Sequence, residues 1–437
     1  MKRLFILVFI FIFILVGCSD ANADLDTRLI NLEKAMEIND VLVQDYEQRI
    51  KELEEELLYS TGELNKVIRD KKEIQKELEE LQKFLQELKD SGQIYEIKVF
   101  LADEYYLTVD NTFQLFYRSV IQAQNPYGYY IRLKGTVGHA YNRYYEFTPT
   151  SEHLNQTYNL TLEVCDDNGR VYGSKQTKLI VSQPTAQPKR NILCIGDSLT
   201  ANGYWLISGY DKYIKQGGGE INFIGTIKGT YGSTTQYYEG RSGWQWSTYL
   251  GAESPFYNAA KNGISFAEYA AKLNVSTIDE LYILLTWNGI GGSFREFDIS
   301  KDQILNAKKF IDQYHKDYPN GKVTLLGIPQ PSVNAGLGAY YTIGQSYGDN
   351  YGQFVTALNY NKALEDFAKR SEYKSFVRYI DVKGQFDSEY NMPASAKPVN
   401  SQSSTTEQVG NSMGMHPTTE GYLQIGEVFY RALSKKW

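Results

Sequence analysis

The chain has 437 residues, a formal net charge of −7, 42% hydrophobic residues and 22% charged residues. This balance argues against a disordered protein and against a multispanning membrane protein. Because the chain is acidic and lacks the positive charge that attracts phosphate backbones, we expect no nucleic-acid partner. The length predicts two or three domains, at about 150 residues each. Three cysteines are too few for a disulfide-built scaffold, and Cys165 and Cys194 lie in strand-like apolar runs that predict buried free thiols.

The N-terminus has the pattern of a secretion signal. Met1-Lys2-Arg3 is followed by an apolar run from Leu4 to Val16, which is too short to suit a permanent membrane helix. The end of the run and the residues after it read Leu15-Val16-Gly17-Cys18, which resembles the lipobox of bacterial lipoproteins. The resemblance implies that residues 1–17 are a signal peptide and that Cys18 carries the lipid, so the protein would be extracytoplasmic and lipid-anchored to the bacterial cell membrane. An ordinary secretion signal that happens to contain this cysteine is the alternative.

Residues 18–92 are predicted to form a coiled-coil stalk. Between residues 25 and 88, mostly apolar residues recur with alternating spacings of four and three over about nine heptads. Three seam positions, Asn39, Ser60 and Lys71, are polar and can fix register and oligomer state. We expect parallel self-association as a dimer or a trimer. A long helix folded back on itself is the alternative.

Residues 93–183 change to short β-branched and aromatic runs, which predict a small immunoglobulin-like β-sandwich. Within it, Asp167-Asn168-Gly169 predicts a hairpin with the primed turn that Asn-Gly favours. Four tyrosines of this region are candidates for glycan binding, although core and spacer roles are the preferred interpretation: Tyr129, Tyr130, Tyr144 and Tyr145. Residues 184–189, which contain two prolines, are predicted to be a linker.

From residue 190 to residue 437, predicted strands alternate with predicted helices. This alternation predicts a parallel sheet covered on both faces, with its site at the carboxyl ends of the strands. The stretch Asn334–Tyr351 is predicted to be a long insertion, either a loop bordering the site or surface filler. Strands are expected at Asn191–Ile195, Ile221–Ile227, Glu280–Trp287, Lys322–Ile328 and Val377–Val382. Helices are expected at Thr200–Gln216, Phe266–Leu273, Lys301–Asp317, Gln353–Arg370 and Glu420–Lys435.

A serine directly follows the first of these strands, in Gly196-Asp197-Ser198-Leu199. A serine at a tight turn between strand and helix points its hydroxyl out of the sheet edge, where the helix N-terminus supplies N–H donors. A simple helix cap is the alternative for Ser198. A serine nucleophile also needs a base, usually a histidine. His416 lies in a loop before the last predicted helix and is the candidate, since the other three histidines lie in the predicted sandwich or a polar helix: His139, His153 and His315.

The pair of motifs Gly196–Leu199 and His416-Pro417 resembles the SGNH/GDSL hydrolases, a family of serine esterases. Two further blocks of that family have counterparts, Glu239–Trp244 around Gly243 and Leu285–Gly289 around Asn288. The resemblance covers residues 190–437. It implies a flavodoxin-like three-layer α/β/α fold and ester hydrolysis without metal or cofactor. It also implies that Ser198 and His416 are catalytic and that Ser198, Gly243 and Asn288 form the oxyanion hole.

Two departures from the family pattern bear on the mechanism. Thr286 and Gly289 replace the outer residues of the asparagine block. Met413 stands where the family usually has an aspartate, three residues before the histidine, to hold its tautomer; loss of such an acid costs about 10⁴ in rate in a serine protease. A backbone carbonyl or another acid would then have to orient His416, or activity would be low. Glu407 and Asp387 are near His416 in sequence, but the sequence does not indicate which of them would orient it.

Substrate class is the least determined part of the prediction. An enzyme held at the cell surface on a stalk suits an extracellular polymer. Aromatic residues near the motifs, above all Trp244 and Trp287, are suited to stacking on sugar rings. Packing within the protein is the alternative role for these rings. We therefore predict an esterase that removes O-acyl groups, O-acetyl in preference, from a polysaccharide or cell-wall glycan. Two rival functions are a glycan-binding or adhesion protein with weak or no catalysis, suggested by Met413, and an O-acyltransferase. Lipase activity is a weaker third.

Overall fold

The structure is a computed structural model that describes residues 22–90, 96–290, 296–333, 350–410 and 414–437. It divides into two compact units, Met1–Ile94 and Tyr95–Trp437. The predicted signal peptide and Cys18 lie outside the described residues, as does most of the predicted insertion Asn334–Tyr351. None of the helices in the described ranges combines the length and the apolar character that crossing a membrane requires.

The described part of the first unit is one helix, α1 (Asn22–Asp90). It runs without a break for 69 residues, or about 100 Å at 1.5 Å per residue. The predicted long helix is therefore present, and the alternative of a helix folded back on itself is wrong. Several apolar residues of the predicted seam are exposed in the single chain: Ile50, Leu53, Leu57, Leu64, Val67, Ile74 and Leu78. The association of such helices into a coiled coil stays a prediction.

Residues 96–183, called here the β-rich region, form two sheets that share one core. The four-stranded sheet has the order β1-β7-β6-β3, and the three-stranded sheet has the order β2-β5-β4. Only β1 and β7 pair in parallel. Side chains of both sheets meet in the core, and the assignment to the immunoglobulin-like type stays a prediction. The strands are β1 (Glu104–Thr108), β2 (Phe113–Phe116), β3 (Tyr130–Lys134), β4 (His139–Ala140), β5 (Tyr144–Phe147), β6 (Thr157–Cys165) and β7 (Val171–Ser182).

The predicted hairpin joins β6 and β7, but its turn is not of the primed type. Gly169 has a φ of +79°, whereas Asn168 is not among the described residues with positive φ. The Asp166 carboxylate accepts the N–H groups of Asn168 (2.9 Å) and Arg170 (2.8 Å). This side chain imposes a different turn, which overrides the local Asn-Gly preference.

Residues 190–437, called here the α/β region, contain the remaining elements, and their centre is a parallel sheet. The strands are β8 (Arg190–Gly196), β9 (Ile221–Phe223), β10 (Ile227–Tyr231), β11 (Thr234–Gly240), β12 (Tyr257–Asn258), β13 (Gly263–Ile264), β14 (Glu280–Leu284), β15 (Lys322–Leu326), β16 (Val377–Ile380), β17 (Ala394–Pro398) and β18 (Thr406–Gly410). The helices are α2 (Tyr204–Lys215), α3 (Trp246–Leu250), α4 (Phe266–Lys272), α5 (Gln303–Asp317), α6 (Asn350–Ala368) and α7 (Thr419–Ser434).

The main sheet has the order β10-β11-β8-β14-β15-β16, with β9 also paired to β8. Only β10, which pairs with β11, is antiparallel. β9 pairs with the first half of β8, and β11 pairs with its end through Gly240 and Gly196. Counting β9 and β11 as one position, the parallel strands follow the order 2-1-3-4-5, which is that of flavodoxin-like folds.

Helices cover both faces of this sheet, so the region has three layers. Alternate residues of β8 point to opposite faces, which is why its whole apolar run is buried. Leu193 and Ile195 pack with residues of α3 to α6, whereas Ile192 and Cys194 pack with α2 and α7. α2 and α7 cross at a glycine pair, Gly209 and Gly426, and a Cβ on Gly209 would lie 2.5 Å from the Gly426 carbonyl oxygen.

Most of the predicted strands and helices of the α/β region lie where the sequence places them. The predicted strand Ile221–Ile227 is divided between β9 and β10, and β11 and the hairpin of β17 and β18 were not predicted. Cys165 and Cys194 are buried free thiols, as expected.

Buried polar contacts join the β-rich region to the α/β region within the second unit. The Tyr105 hydroxyl donates to Asp381 Oδ2 (2.6 Å). The Lys383 ammonium donates to the same carboxylate (2.9 Å) and to the Phe100 carbonyl (2.7 Å). The side chains of Tyr105, Asp381 and Lys383 are almost fully buried. Separation of the two regions would keep the ion pair of Lys383 and Asp381, since both belong to the α/β region, but would remove its hydrogen bonds to Tyr105 and to the Phe100 carbonyl.

Candidate active site

The candidate nucleophile lies at the carboxyl edge of the parallel sheet. β8 ends at Gly196, Asp197 and Leu199 are fully buried, and Ser198 between them is partly exposed. Gly196 leaves no room for a side chain, because a Cβ there would lie 2.6 Å from the Leu284 carbonyl oxygen of the neighbouring strand β14. The turn therefore buries Asp197 and Leu199 and leaves Ser198 partly exposed.

His416 reaches this hydroxyl from the other end of the sequence. Its Nε2 lies 2.9 Å from Ser198 Oγ, a hydrogen-bond distance. The ring is held by a short loop whose flanking residues Met415 and Pro417 are buried, and Thr418 begins α7 as its N-cap. Burial lowers the pKa of His416 below its ordinary value, since it disfavours the imidazolium. The imidazole is thus neutral near pH 7 and can accept a proton from the serine.

Asp197 links the serine turn to the asparagine block. Its Oδ1 accepts the Leu199 N–H (3.0 Å), and its Oδ2 accepts the Thr286 N–H (2.7 Å) and hydroxyl (2.5 Å) and the Asn288 amide (3.3 Å). The carboxylate is fully buried, and this burial raises its pKa despite the hydrogen bonds, which act in the opposite direction. Thr286, which departs from the family pattern, therefore donates two hydrogen bonds to this carboxylate.

The loop after β11 contains the second predicted oxyanion donor. Gly240 pairs with Gly196, and the Arg241 N–H donates to the Gly196 carbonyl (2.9 Å), so the loop lies beside the serine turn. Gly243 follows with a φ of +79° and no atom within 4 Å of a would-be Cβ. Glycine is favoured at this position by its positive φ. The surrounding space would accommodate a side chain. Within the described residues, the backbone N–H groups of Ser198 and Gly243 donate to no other group.

Asn288, the third predicted donor, closes the site from the neighbouring strand. Its Nδ2 donates to the Trp244 carbonyl (3.1 Å) and, over a longer distance, to Asp197 Oδ2 (3.3 Å). Both amide hydrogens are thus directed at protein groups in this state. The structure brings Asn288 to the residue next to Ser198, but a role as oxyanion donor requires the longer of these bonds to open.

Neither of the two candidate acids, Glu407 and Asp387, is established as the residue that orients His416. Met413 lies outside the described residues. Glu407 is exposed on β18. The Asp387 carboxylate binds Arg143 of the β-rich region (2.7 Å) and the N–H of Glu389 (3.1 Å). The Asp387 carboxylate is therefore paired with a residue of the β-rich region.

The two predicted substrate-binding tryptophans differ in exposure. Trp287 is fully buried and belongs to the same hydrophobic core as Ile283 and Leu285, so the expectation that it presents a ring to a sugar is wrong. Trp244 is partly exposed, with its ring beside Tyr249 (centroids 4.8 Å apart) and under the Arg241 guanidinium (4.9 Å). Its role in substrate binding stays a prediction.

A buried acid that supports the Gly243 loop was not predicted. Glu239 is fully buried, and its Oε1 accepts the Tyr269 hydroxyl (2.7 Å) while its Oε2 accepts Arg241 (2.7 Å). A charged residue next to the glycine block is the sequence signal, but its partner Tyr269 is 30 residues away. No group of three or more potential metal ligands of the kind His, Cys, Asp or Glu occurs in the described ranges.

No protein-family model matches this chain, and no curated protein matches it. It is similar to several solved structures at low identity. A family 3 carbohydrate esterase from Clostridium thermocellum is 16% identical over 56% of this chain and 100% of its own, with a TM-score of 0.36. A carbohydrate esterase family 3 structure from Talaromyces cellulolyticus is 14% identical over 56% and 96%, with a TM-score of 0.33. An extracellular lipase from Streptomyces rimosus is 14% identical over 54% and 97%, with a TM-score of 0.28.

Proposed function

We propose that the protein is a serine esterase that removes O-acyl groups, O-acetyl in preference, from a polysaccharide or cell-wall glycan. One observation carries the proposal: Ser198 Oγ and His416 Nε2 lie 2.9 Å apart at the carboxyl edge of the parallel sheet, where a hydroxyl and a neutral imidazole form a nucleophile with its base. A helix cap, the alternative role for Ser198, does not account for this partner.

Acylation of the enzyme uses these two side chains directly. Ser198 Oγ attacks the carbonyl carbon of the ester while His416 Nε2 takes the hydroxyl proton, and the carbonyl oxygen becomes an oxyanion. The N–H groups of Ser198 and Gly243 and the Asn288 amide are the proposed donors to this oxyanion. The carbon–oxygen bond to the sugar then breaks, and His416 returns its proton to the departing sugar oxygen.

Deacylation repeats the sequence with water. Water attacks the acyl carbon and gives a proton to His416, and the second tetrahedral intermediate collapses to a carboxylic acid and free Ser198, which recovers the proton. For Asn288 to donate, the 3.3 Å bond to Asp197 has to open as the oxyanion forms. The amide would then bind the transition state better than the ground state, which is the condition for faster chemistry.

The glycan substrate is supported by the surroundings of the dyad and by the predicted location. Trp244 follows Gly243 in the proposed oxyanion loop, and its partly exposed ring offers a planar surface of the kind on which a sugar ring can stack. A long helix and a lipid anchor would carry such a site to an extracellular polymer.

Acetate release from acetylated xylan and from acetylated peptidoglycan tests this proposal. The full chain is compared with the Ser198→Ala and His416→Ala variants, and Ser208→Ala, a change on α2 away from the turn, serves as control. We expect release by the full chain and the control and a loss of at least about 10³-fold in the first two variants. Equal release by all four proteins would contradict the proposal.

We also infer that the chain is held at the cell surface by Cys18 and associates with itself in parallel through α1. The exposed apolar residues on α1, including Leu57 and Leu64, support the second inference, because burial of such residues is what drives helix pairing. Sedimentation of the chain from residue 19 onward tests it. A dimer or trimer that becomes a monomer in Leu57→Lys/Leu64→Lys is expected, and a monomeric parent chain would contradict it.

A further inference from the structure

A cavity lies between the β-rich region and the α/β region, beside the His416 loop. Its volume is about 220 Å³, large enough for a sugar ring. Arg118 and Gln124 line it from the β-rich region, and Ser332, Tyr351 and Phe354 line it from the α/β region. The β-rich region, which the sequence predicts to be a spacer, therefore forms one wall of the cavity.

Hydrogen bonds connect this cavity to the candidate active site. The Ser332 N–H donates to the Gly414 carbonyl (2.9 Å), and Gly414 is two residues before His416. The Val333 N–H donates to the carbonyl of Ser388 (3.3 Å), another lining residue. The loop that holds the histidine is thus hydrogen-bonded to a segment that lines the cavity.

The lining combines one cation with aromatic and hydroxyl groups. Tyr351 and Phe354 stack with their ring centroids 6.1 Å apart. Arg118 is partly exposed, and its one hydrogen bond within the described residues, to the Gln124 carbonyl, is long (3.4 Å). No acidic group of the described ranges lies within ion-pair distance of Arg118.

The two acidic residues that flank the lining residue Ser388 already have a cation. Asp387 and Glu389 both bind Arg143, at 2.7 Å and 2.5 Å, and Glu389 also accepts the Tyr127 hydroxyl (3.0 Å). The guanidinium of Arg118 is therefore available to a ligand. The planar fork of a guanidinium matches a carboxylate, to which it donates two parallel N–H bonds.

Local contacts hold Arg118 in place without using its charge. It lies in a single turn between Tyr117, whose N–H donates to the Arg143 carbonyl (3.1 Å), and Ser119, whose hydroxyl donates to the Phe386 carbonyl (3.1 Å). A substitution of the Arg118 side chain leaves both of these bonds intact. A ligand effect of such a variant can thus be separated from misfolding.

We infer that this cavity binds a carboxylate-bearing sugar unit of the substrate glycan, with Arg118 on the carboxylate and the aromatic pair against the sugar. The inference rests on the proposed function, because it gives the glycan an acidic character and makes the β-rich region a part of the substrate site. Tyr351 and Phe354 supply the apolar faces that sugar rings stack on.

The test compares deacetylation of an acetylated homogalacturonan, a polymer of uronic acid, with that of a neutral acetylated glucomannan. The full chain is measured beside Arg118→Gln and Arg170→Gln, the latter a matched change of an exposed arginine in the turn between β6 and β7. We expect Arg118→Gln to lower kcat/KM on the acidic polymer about tenfold, the effect of one charge-assisted contact, and to leave the neutral polymer and p-nitrophenyl acetate unchanged. Arg170→Gln should match the parent on all three.

Salt and binding measurements separate failure of this inference from failure of the proposed function. The preference for the acidic polymer should shrink as ionic strength rises in the parent chain and not in Arg118→Gln. Turnover of both polymers without an effect of Arg118→Gln would overturn the inference and leave the esterase intact. If no ester is turned over, calorimetry with an oligogalacturonate decides: binding that Arg118→Gln abolishes upholds the cavity assignment, and absence of binding overturns it.

Discussion

Substitution of Asp197 by asparagine tests how the site is held together. The carboxylate has four donors directed at it, two of them from Thr286. An asparagine has the same shape but only one acceptor oxygen, and its amide nitrogen donates. If the asparagine oxygen takes the place of Oδ2, its NH₂ group faces the Leu199 N–H. Two buried donors then point at each other without an acceptor. The reverse orientation loses the other three bonds.

Opposing terms set the size of the effect on stability. A hydrogen bond to a charged group contributes about 1.5–3 kcal/mol, and an unsatisfied buried donor costs about 1–3 kcal/mol. The substitution also removes a buried charge, whose desolvation is what raises the pKa of Asp197, and this gain offsets part of the loss. We expect Asp197→Asn to lower the free energy of unfolding by about 1–3 kcal/mol.

The effect on catalysis should be larger than the effect on folding. Asp197 holds Thr286 and Asn288 beside Ser198, and a displacement of about 1 Å in such a site can cost 10²-fold in rate. We expect kcat to fall about 10²-fold on p-nitrophenyl acetate, with KM nearly unchanged, while urea denaturation gives the stability. Asp166→Asn, in the hairpin turn of the β-rich region, is the control and should keep full activity. An Asp197→Asn variant with parental kcat would refute the role of this carboxylate in holding the site.

Three further predictions concern pH, backbone conformation and the junction. Burial lowers the pKa of His416, so the acid limb of kcat/KM should lie below pH 6.5, with full activity above it and loss as pH falls through the lowered pKa; a limb above 6.5 would contradict this. Gly243→Ala should lower the unfolding free energy by about 1–2 kcal/mol, because its φ of +79° is unfavourable for a Cβ; unchanged urea denaturation would contradict the strain. Tyr105→Phe removes the 2.6 Å bond to Asp381 and should cost about 1.5–3 kcal/mol in a single unfolding transition of residues 95–437; a variant as stable as the parent would contradict the junction.

The sequence predicts the centre of the α/β region well, because its signals are local. The apolar run of β8 requires a buried strand, and the tight turn after it places Ser198 at the sheet edge. His416 is predicted by its loop position before an amphipathic helix. Each inference needs only a few neighbouring residues.

Long-range contacts explain what the sequence does not predict. Trp287 lies one residue before Asn288, yet its ring packs in the hydrophobic core among residues distant in sequence, such as Tyr249 and Phe310. Strand β11 begins with Thr234, Thr235 and Gln236, which lack an apolar pattern and become a strand by pairing with β10.

The junction between the two regions was also not predicted from the sequence. Tyr105 and Asp381 are 276 residues apart, and no local pattern indicates that they meet. The same holds for Arg143 and Asp387. As a result, the region predicted to be a spacer is found to line a cavity beside the histidine loop.

Covalent labelling of Ser198 tests the central claim most directly. A fluorophosphonate reacts with a serine only when a base activates it, and peptide mass spectrometry identifies the residue that carries the label. We predict stoichiometric labelling of the full chain at Ser198, slow labelling of His416→Ala and none of Ser198→Ala. Labelling of another residue, or an unlabelled Ser198 in the folded protein, would contradict a nucleophile activated by His416.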